Sequence, residues 1–326
     1  MIIFVTGQYA GAQYIHPLLK RWAIDGKQCP EYKLVATGGS VKYWQEVKVK
    51  YNQVLTSTIM EYIKTVNPKL IILSASGNEN LEYLFILAAK KLSIKTINFI
   101  DIWGNYRNRY IYNGEEVFPD VILSINEKCT EEMVSEGVPA EIIQEIGQPY
   151  LEDICENIPP LGDEILIPMQ PIKQARGSSL GYNEKDFLNL TLSVLKQVGK
   201  ISEAHITAHP SDNFNLLNQS TVRLTEGRGI EDIKDSHTVL GMFSMQMIVG
   251  YLYGRKVASI QPKLKGMDPS PLSRWGLIPT IRNKKELVNF LNLKTDGGTS
   301  QKSVLFQQLH GSLDRLDHFV RKNYFV

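Results

Sequence analysis

Short runs of aliphatic and β-branched residues recur along this chain, and each gives way to glycine, serine or aspartate before an amphipathic stretch begins. Ile2 to Thr6 (IIFVT) stops at Gly7, and after the loop QYAGAQ the apolar residues Ile15, Leu18, Leu19 and Trp22 fall at helical spacing between Tyr14 and Ile24. The unit then repeats. Lys33 to Ala36 ends at Thr37-Gly38-Gly39-Ser40, and Leu70 to Leu73 ends at Ser74-Ala75-Ser76-Gly77-Asn78 before a helical stretch from Leu81 to Leu92. Thr96 to Ile100 (TINFI) ends at Asp101, and Val121 to Ser124 precedes a helix from Glu127 to Glu136. Short strands alternating with helices predict a parallel sheet with helices on its faces.

A second series opens after Ile158-Pro159-Pro160-Leu161-Gly162, whose paired prolines suit an extended connector. Glu164 to Pro168 (EILIP) reads as a strand, Gln170 to Tyr182 as a Gly/Ser loop and Glu184 to Val198 as a helix. His205 to Ala208 ends at His209-Pro210, Val239 to Met242 at Phe243-Ser244 before a helix from Met245 to Tyr253, and Lys256 to Ile260 at Gln261-Pro262. Lys302 to Arg321 reads as one terminal helix, free to pack back on the first domain. The expected fold is therefore α/β: two Rossmann-like doubly wound domains, residues 1–157 and 163–326, facing across a cleft. Open sheets of this kind bind ligands at the carboxyl ends of their strands.

Composition narrows the classes. The chain has 326 residues, 43% hydrophobic and 21% charged, so disorder is excluded as a dominant state, and its length favours two domains of about 150 residues. A formal charge of +2 is too balanced for the phosphate-neutralising face that nucleic acid requires, so no nucleic-acid partner is expected. Residues 1–155 hold 15 basic and 18 acidic side chains, a net −3, leaving 21 and 16, a net +5, for the remainder, which is the better host for a phosphorylated ligand. Three cysteines without a C-x-x-C pair indicate neither a zinc site nor a disulfide framework. With no apolar run of about 18 residues, the expectation is a soluble cytoplasmic protein.

Two segments carry a family resemblance. Pro119-Asp120-Val121-Ile122-Leu123-Ser124, a helix, Gly137-Val138-Pro139 and Ile146-Gly147-Gln148-Pro149 resemble the end of the N-terminal domain in glycosyltransferases of the two-Rossmann B fold (GT-B) and in UDP-N-acetylglucosamine 2-epimerases. Val239 to Met245 followed by Tyr253 to Ile260 is similar to the donor-site signature of the same superfamily. His209-Pro210 and Ser244 match the His-Pro and Ser that face the nucleotide phosphates in bacterial transferases using CMP-sialic acid, CMP-Kdo or CDP-glycerol. One departure stands out: the resemblance calls for Glu in the donor helix where this chain has Gly250, so a ribose clamp there is in doubt.

The resemblance implies a metal-independent glycosyltransferase with a nucleotide-sugar as substrate, no cofactor and a glycan or small-molecule acceptor, acting in surface polysaccharide synthesis. No D-x-D triplet is present, which argues against a metal-dependent A-fold enzyme. Asp101 is the expected base and Glu79 the second candidate, while His209 with Ser244 would stabilise the leaving phosphate. Trp103 or Tyr106 would stack on a sugar, Arg107 or Arg109 in the same loop would hold an anionic group, and Asn105 is counted with them among the substrate-binding residues. Gly7 and Gly11 would line the acceptor side, together with Gly38 and Gly39. Gln170, Arg176, Gly177 and Ser178 would approach the pyrophosphate, with Phe243 and Met245 beside Ser244; Glu226 would meet the ribose, and Gln261 and Asp268 the sugar. His16, His237 and His318 are assigned no chemistry. Two rivals remain: an epimerase or hydrolase acting on a UDP-N-acetylhexosamine, and a non-catalytic transferase subunit. Peripheral membrane attachment and homo-oligomerisation are left open.

Overall fold

The computed structural model describes every residue except 26–28, 75–80, 174–176, 209–221, 226–228, 294–303 and 326. The chain divides into two compact units, Met1–Glu156 with Gln307–Val326, and Asn157–Phe306.

In the first unit six parallel strands lie in the order β2-β1-β3-β4-β7-β8. They are β1 (Ile2–Thr6), β2 (Tyr32–Ala36), β3 (Leu70–Ser74), β4 (Lys95–Phe99), β7 (Val121–Ser124) and β8 (Ile143–Glu145), and between β4 and β7 runs the hairpin β5 (Ile111–Tyr112) and β6 (Glu115–Glu116). All five residues of β1 and of β3 are buried, as strands covered on both faces must be. One face packs α1 (Tyr9–Asp25) and α2 (Gly38–Glu46) over Ile2, Phe4, Leu70 and Ile72, with Tyr14 stacked on Phe99 at 4.2 Å between ring centroids. The opposite face takes α3 (Ile59–Val66) and α4 (Leu81–Lys91); α5 (Glu127–Ser135) and α6 (Pro149–Cys155) complete the first pass.

The second unit repeats the plan in the order β11-β10-β9-β12-β13-β14, again parallel. Its strands are β9 (Glu164–Pro168), β10 (Ala204–Thr207), β11 (Arg223–Thr225), β12 (Ser236–Gly241), β13 (Lys256–Ile260) and β14 (Thr280–Ile281). The helices are α7 (Glu184–Gln197), α8 (Ile230–Lys234), α9 (Met245–Leu252), α10 (Pro271–Arg274) and α11 (Lys284–Asn292). α7 starts with a complete capping box, Asn183 against Asp186, and packs with α11 on one face of the sheet. α9 lies against β12 and β13.

The chain then returns through α12 (Val304–Leu309) to α13 (Ser312–Phe325), which packs on α1 and α6 of the first unit. The single helix expected over Lys302 to Arg321 is thus two, because Gly311 sits at φ +77 and ends the first. α13 is pinned along its length: Trp22 Nε1 donates to Asp317 at 2.7 Å, the Glu152 carboxylate accepts from Gly311 N and from Leu313 N, and the Met1 ammonium donates to Tyr324 at 2.9 Å. At its start a Cβ on Gly147 would lie 2.0 Å from Ser312 Oγ, so only glycine admits the helix there. Among the described residues no helix is long and apolar enough to cross a membrane.

Each sheet reverses its direction of growth once. From β1 the chain first adds β2 on one side and then β3 on the other, and β9, β10 and β12 repeat this, which opens the strand ends at β1/β3 and β9/β12.

Two solution properties follow. Burial pushes the Cys129 and Cys155 thiols up to about 12, whereas Cys29 is only half buried, so a thiol reagent should titrate one cysteine in the native protein and three after unfolding. Burial, followed by the Lys20 charge, holds His16 below the ordinary 6.5, and burial holds His237 below it although the nearby Glu203 carboxylate acts the other way. A folded state that prefers neutral imidazole is at full stability above that value and loses stability as pH falls, because the unfolded chain binds the extra protons. Melting temperature should therefore drop between pH 7.5 and 5.5, and replacing both histidines by Gln should reduce that drop.

Candidate functional site

At the β1/β3 reversal the backbone runs unusually close to polar side chains. A Cβ on Gly7 would sit 2.3 Å from Glu82 Oε1, and one on Gly11 would sit 2.2 Å from Ser74 Oγ with Asp101 Oδ2 at 3.9 Å. Gly7 follows β1, Gly11 lies in the first turns of α1, Ser74 ends β3, Glu82 is in the first turn of α4 and Asp101 follows β4. Ser74, Glu82 and Asp101 are all buried. A carboxylate in the first turn of a helix is favoured by the helix dipole, which suits Glu82 to this depth. The glycines are thus fixed by what lies beside them.

Asp101 is held from two sides. Arg109 Nη1 donates to its Oδ1 at 2.9 Å, both side chains being only 4% exposed, and Gln148 Nε2 donates to its main-chain carbonyl at 3.1 Å. The remaining guanidinium donors of Arg109 reach the carbonyls of Ile102, Gly104 and Asn105 at 3.0 to 3.2 Å, so one side chain closes the whole 101–105 loop upon itself. Arg109 therefore does not fit the role of gripping an anionic ligand. Trp103 is buried and its indole donates to Asn126 Oδ1 at 3.1 Å, which removes it as a sugar-stacking surface. Arg107 is exposed but donates to Glu116 at 2.6 Å, and Asn105 is exposed at φ +54 with its amide bonded by Asn108.

A second patch lies at the ends of β1 and β2. The Gly39 Cβ position is 3.3 Å from Tyr9 N, which seats the first turn of α2 against the β1 loop. Tyr9 packs edge-on to Tyr43 and donates to Glu46 at 2.8 Å, and His16 Nδ1 is 2.7 Å from the Tyr43 hydroxyl. His16 is accounted for by this packing.

In the second unit the β9/β12 reversal is tied by one hydrogen bond, Phe243 N donating to Gln170 Oε1 at 3.0 Å. Ser244 follows as the N-cap of α9 and accepts from Gln246 N at 3.2 Å, and Phe243, Ser244 and Met245 are half buried at the strand ends. No carboxylate occurs in α9, and Gly250 faces the sheet: a Cβ there would lie 2.8 Å from Val239 Cγ2, so the packing has no space for a glutamate. Gly177 and Ser178 lie on an exposed turn. Gln261 and Asp268 prove to be structural. Gln261 is buried, accepts from Tyr182 and donates to the Met242 carbonyl, and Asp268 accepts from Ser270 N at 2.8 Å and from Thr280 at 2.8 Å. Both arms of the Gln261 amide are thus engaged, and each Asp268 oxygen already accepts a hydrogen bond from the protein. Glu79, Arg176, His209 and Glu226 lie outside the described residues. Among the described residues no cluster of His, Cys, Asp and Glu is arranged to hold a metal ion.

Ser74, Glu82 and Gln148 were not expected at a site. The available signal was the spacing of Gly7 and Gly11, four residues apart across a strand–helix turn, which marks a close approach of backbone to side chain.

No protein-family model and no curated protein matches the chain. Solved structures do. The UDP-N-acetylglucosamine 2-epimerase of Rickettsia bellii is similar at a TM-score of 0.69 and 13% identity, over 98% of this chain and 96% of that one. The UDP-GlcNAc 2-epimerase of Neisseria meningitidis, solved bound to UDP-GlcNAc, gives 0.66 and 13%, over 98% and 99%. The glycotransferase of kitacinnamycin gives 0.62 and 12%, over 99% and 98%. The chain accordingly has the fold that these epimerases and glycosyltransferases share, the GT-B arrangement of two Rossmann-like domains.

The Asp101–Arg109 pair can be tested directly. Replacing Arg109 with Ala leaves a buried carboxylate without its cation and should destabilise the first unit by about 3–5 kcal/mol, read as a lower urea midpoint. Arg107→Ala, at an exposed pair, should change it by less than about 1 kcal/mol.

Proposed function

We propose that the protein is a metal-independent glycosyltransferase that takes a sugar from a nucleotide-sugar. The observation that carries this reading is the half-buried Phe243-Ser244-Met245 turn at the head of α9, set by Gln170 at the β9/β12 reversal. A serine at a helix N-terminus, with amides and the helix dipole behind it, suits a leaving diphosphate. The neighbouring structures include one solved with UDP-GlcNAc, which supports a uridine donor. The acceptor hydroxyl would attack the anomeric carbon while the bond to the phosphate oxygen breaks, the electron pair leaving with the nucleoside diphosphate and the acceptor proton passing to Asp101 Oδ2. His209 would share the phosphate charge.

Epimerisation is the second reading, and one observation favours it. Glu82 and Asp101 place two buried carboxylates at one set of strand ends, and elimination with readdition at a sugar uses more than one acid–base group. Against it stands the absence of any carboxylate in α9.

Thermal shift against UDP, CMP, CDP, GDP and ADP and their sugar conjugates tests the donor reading, since a ligand at 100 times its dissociation constant adds about 2.7 kcal/mol of stability. A shift with UDP and its conjugates, weakened in Ser244→Ala and His209→Ala, is expected; no shift with any nucleotide would overturn it. Incubation with donor alone separates the two activities: an altered sugar without an acceptor means epimerisation, and product formed only with an acceptor means transfer.

A further inference from the structure

The second unit has an open recess of about 600 Å³, inside the range of about 300–1,000 Å³ in which small ligands are held. Part of its lining is one face of α7, where Asp186, Asn189, Leu190 and Ser193 follow one another three or four residues apart. The rest comes from Pro262 and Lys263, just after β13, and from Arg282, Asn283 and Lys284, which join β14 to α11. No residue of the Gln170 or Ser244 turns lines it.

Its charge is one-sided. Lys263, Arg282 and Lys284 stand against one lining carboxylate, Asp186, whose Oδ1 accepts from Lys263 at 3.1 Å and whose Oδ2 accepts from Asn183 N in the cap of α7. Arg282 and Lys284 are exposed, and neither side chain has a hydrogen bond or ion pair among the described residues. The acid that follows them, Glu286, is committed to the cap of α11, where it accepts from Arg282 N and from Asn283 Nδ2, both at 2.6 Å. Asn283 accepts from Glu286 N in return, and the amides of Lys284 and Lys285, the first two of this nine-residue helix, have no acceptor among the described residues. Cations drawn together without matching acids repel one another, and an anion seated among them relieves that repulsion and meets the helix amides as well.

Lys263 is also in a conformation that lysine rarely adopts, at φ +61. Its turn is fixed by Leu264 N donating to the Gln261 carbonyl at 3.3 Å and by Lys265 N donating to the Leu180 carbonyl at 2.9 Å. Glycine would suit that backbone better, and what lysine adds is an ammonium at the recess.

We propose that this recess binds a phosphomonoester, the Arg282 fork and the ammoniums of Lys263 and Lys284 holding the phosphate dianion while the half-buried Leu190 and the buried Pro262 receive the organic body. The site lies wholly within the second unit, goes beyond the transfer reading and does not rest on it.

The test is protection of lysines from limited acetylation in the full chain, read by peptide mass spectrometry, with glycerol 3-phosphate or with vesicles containing phosphatidic acid, each against sodium chloride at equal ionic strength. Lys263 and Lys284 should lose reactivity, while the exposed Lys42 and Lys64 of the first unit should not change. Protection by glycerol 3-phosphate identifies a soluble ester as the ligand, protection by the vesicles alone identifies a lipid headgroup, and protection by neither overturns the proposal. Arg282→Ala should melt as the wild type does and bind the protecting ligand about tenfold more weakly, the worth of one charge-assisted hydrogen bond. Lys263→Gly should melt no lower than wild type and also bind more weakly. A lower melting temperature in both variants would assign these cations to the fold, and undiminished binding in both would place the ligand elsewhere; either result overturns the proposal.

Discussion

The loop after β4 depends on one buried ion pair. Taking a carboxylate and a guanidinium out of water is costly, and the cost is offset only where the remaining donors also find partners. Arg109 meets that condition, with Asp101 on one arm and three carbonyls of the 101–105 loop on the others. Those carbonyls belong to a segment with two residues in the left-handed region, Gly104 at φ +103 and Asn105 at φ +54, so the arginine supplies the partners that regular structure does not. Because Gln148 holds the Asp101 carbonyl and also caps α6, the pair fixes the carboxylate relative to both β4 and the last helix before residue 157.

The same economy of space governs both strand reversals. In the first unit, glycines at positions 7 and 11 let a carboxylate and a hydroxyl come within van der Waals distance of the main chain. In the second, Gly250 lets α9 sit directly on Val239 and Val257, which draws the N-terminus of that helix down to the end of β12. Helix, strand and glycine are thus one mechanical unit, and the chemistry presented at the reversal follows from how closely they pack.

Most of the sheet was legible in the sequence because its strands are covered on both faces and so read as unbroken apolar runs, as in IIFVT, LIILS and EILIP. The parts that escaped lack that signal. β8 is three residues, IQE, with a polar edge; α2 opens with two glycines and looks like a loop; and the hairpin turn at Asn113-Gly114 is announced only by a dipeptide. The site divides in the same way. Asp101 could be found because a carboxylate directly after an apolar strand points to a strand end. The role of Arg109 could not, since whether an arginine eight residues on turns inward or outward depends on tertiary packing, and Arg107, two residues earlier, turns outward to Glu116. Glu82 looks like the polar face of a helix until Gly7 is placed against it.

The Glu that the family resemblance calls for in the donor helix has no place in α9. A carboxylate at position 250 is excluded by contact with the sheet, and the first turn of the helix offers only Ser244, Gln246 and main-chain amides. Gln246 is already spent on the Gly229 carbonyl at 2.8 Å. Among the described residues this strand end presents one hydroxyl and a helix dipole, a set that favours an anion. Within the described residues the proton-carrying groups near a reversal are instead Asp101 and Glu82 of the first unit. The carboxylate is thus kept out of α9 by a packing glycine in one sheet, while in the other a buried ion pair holds Asp101 in place.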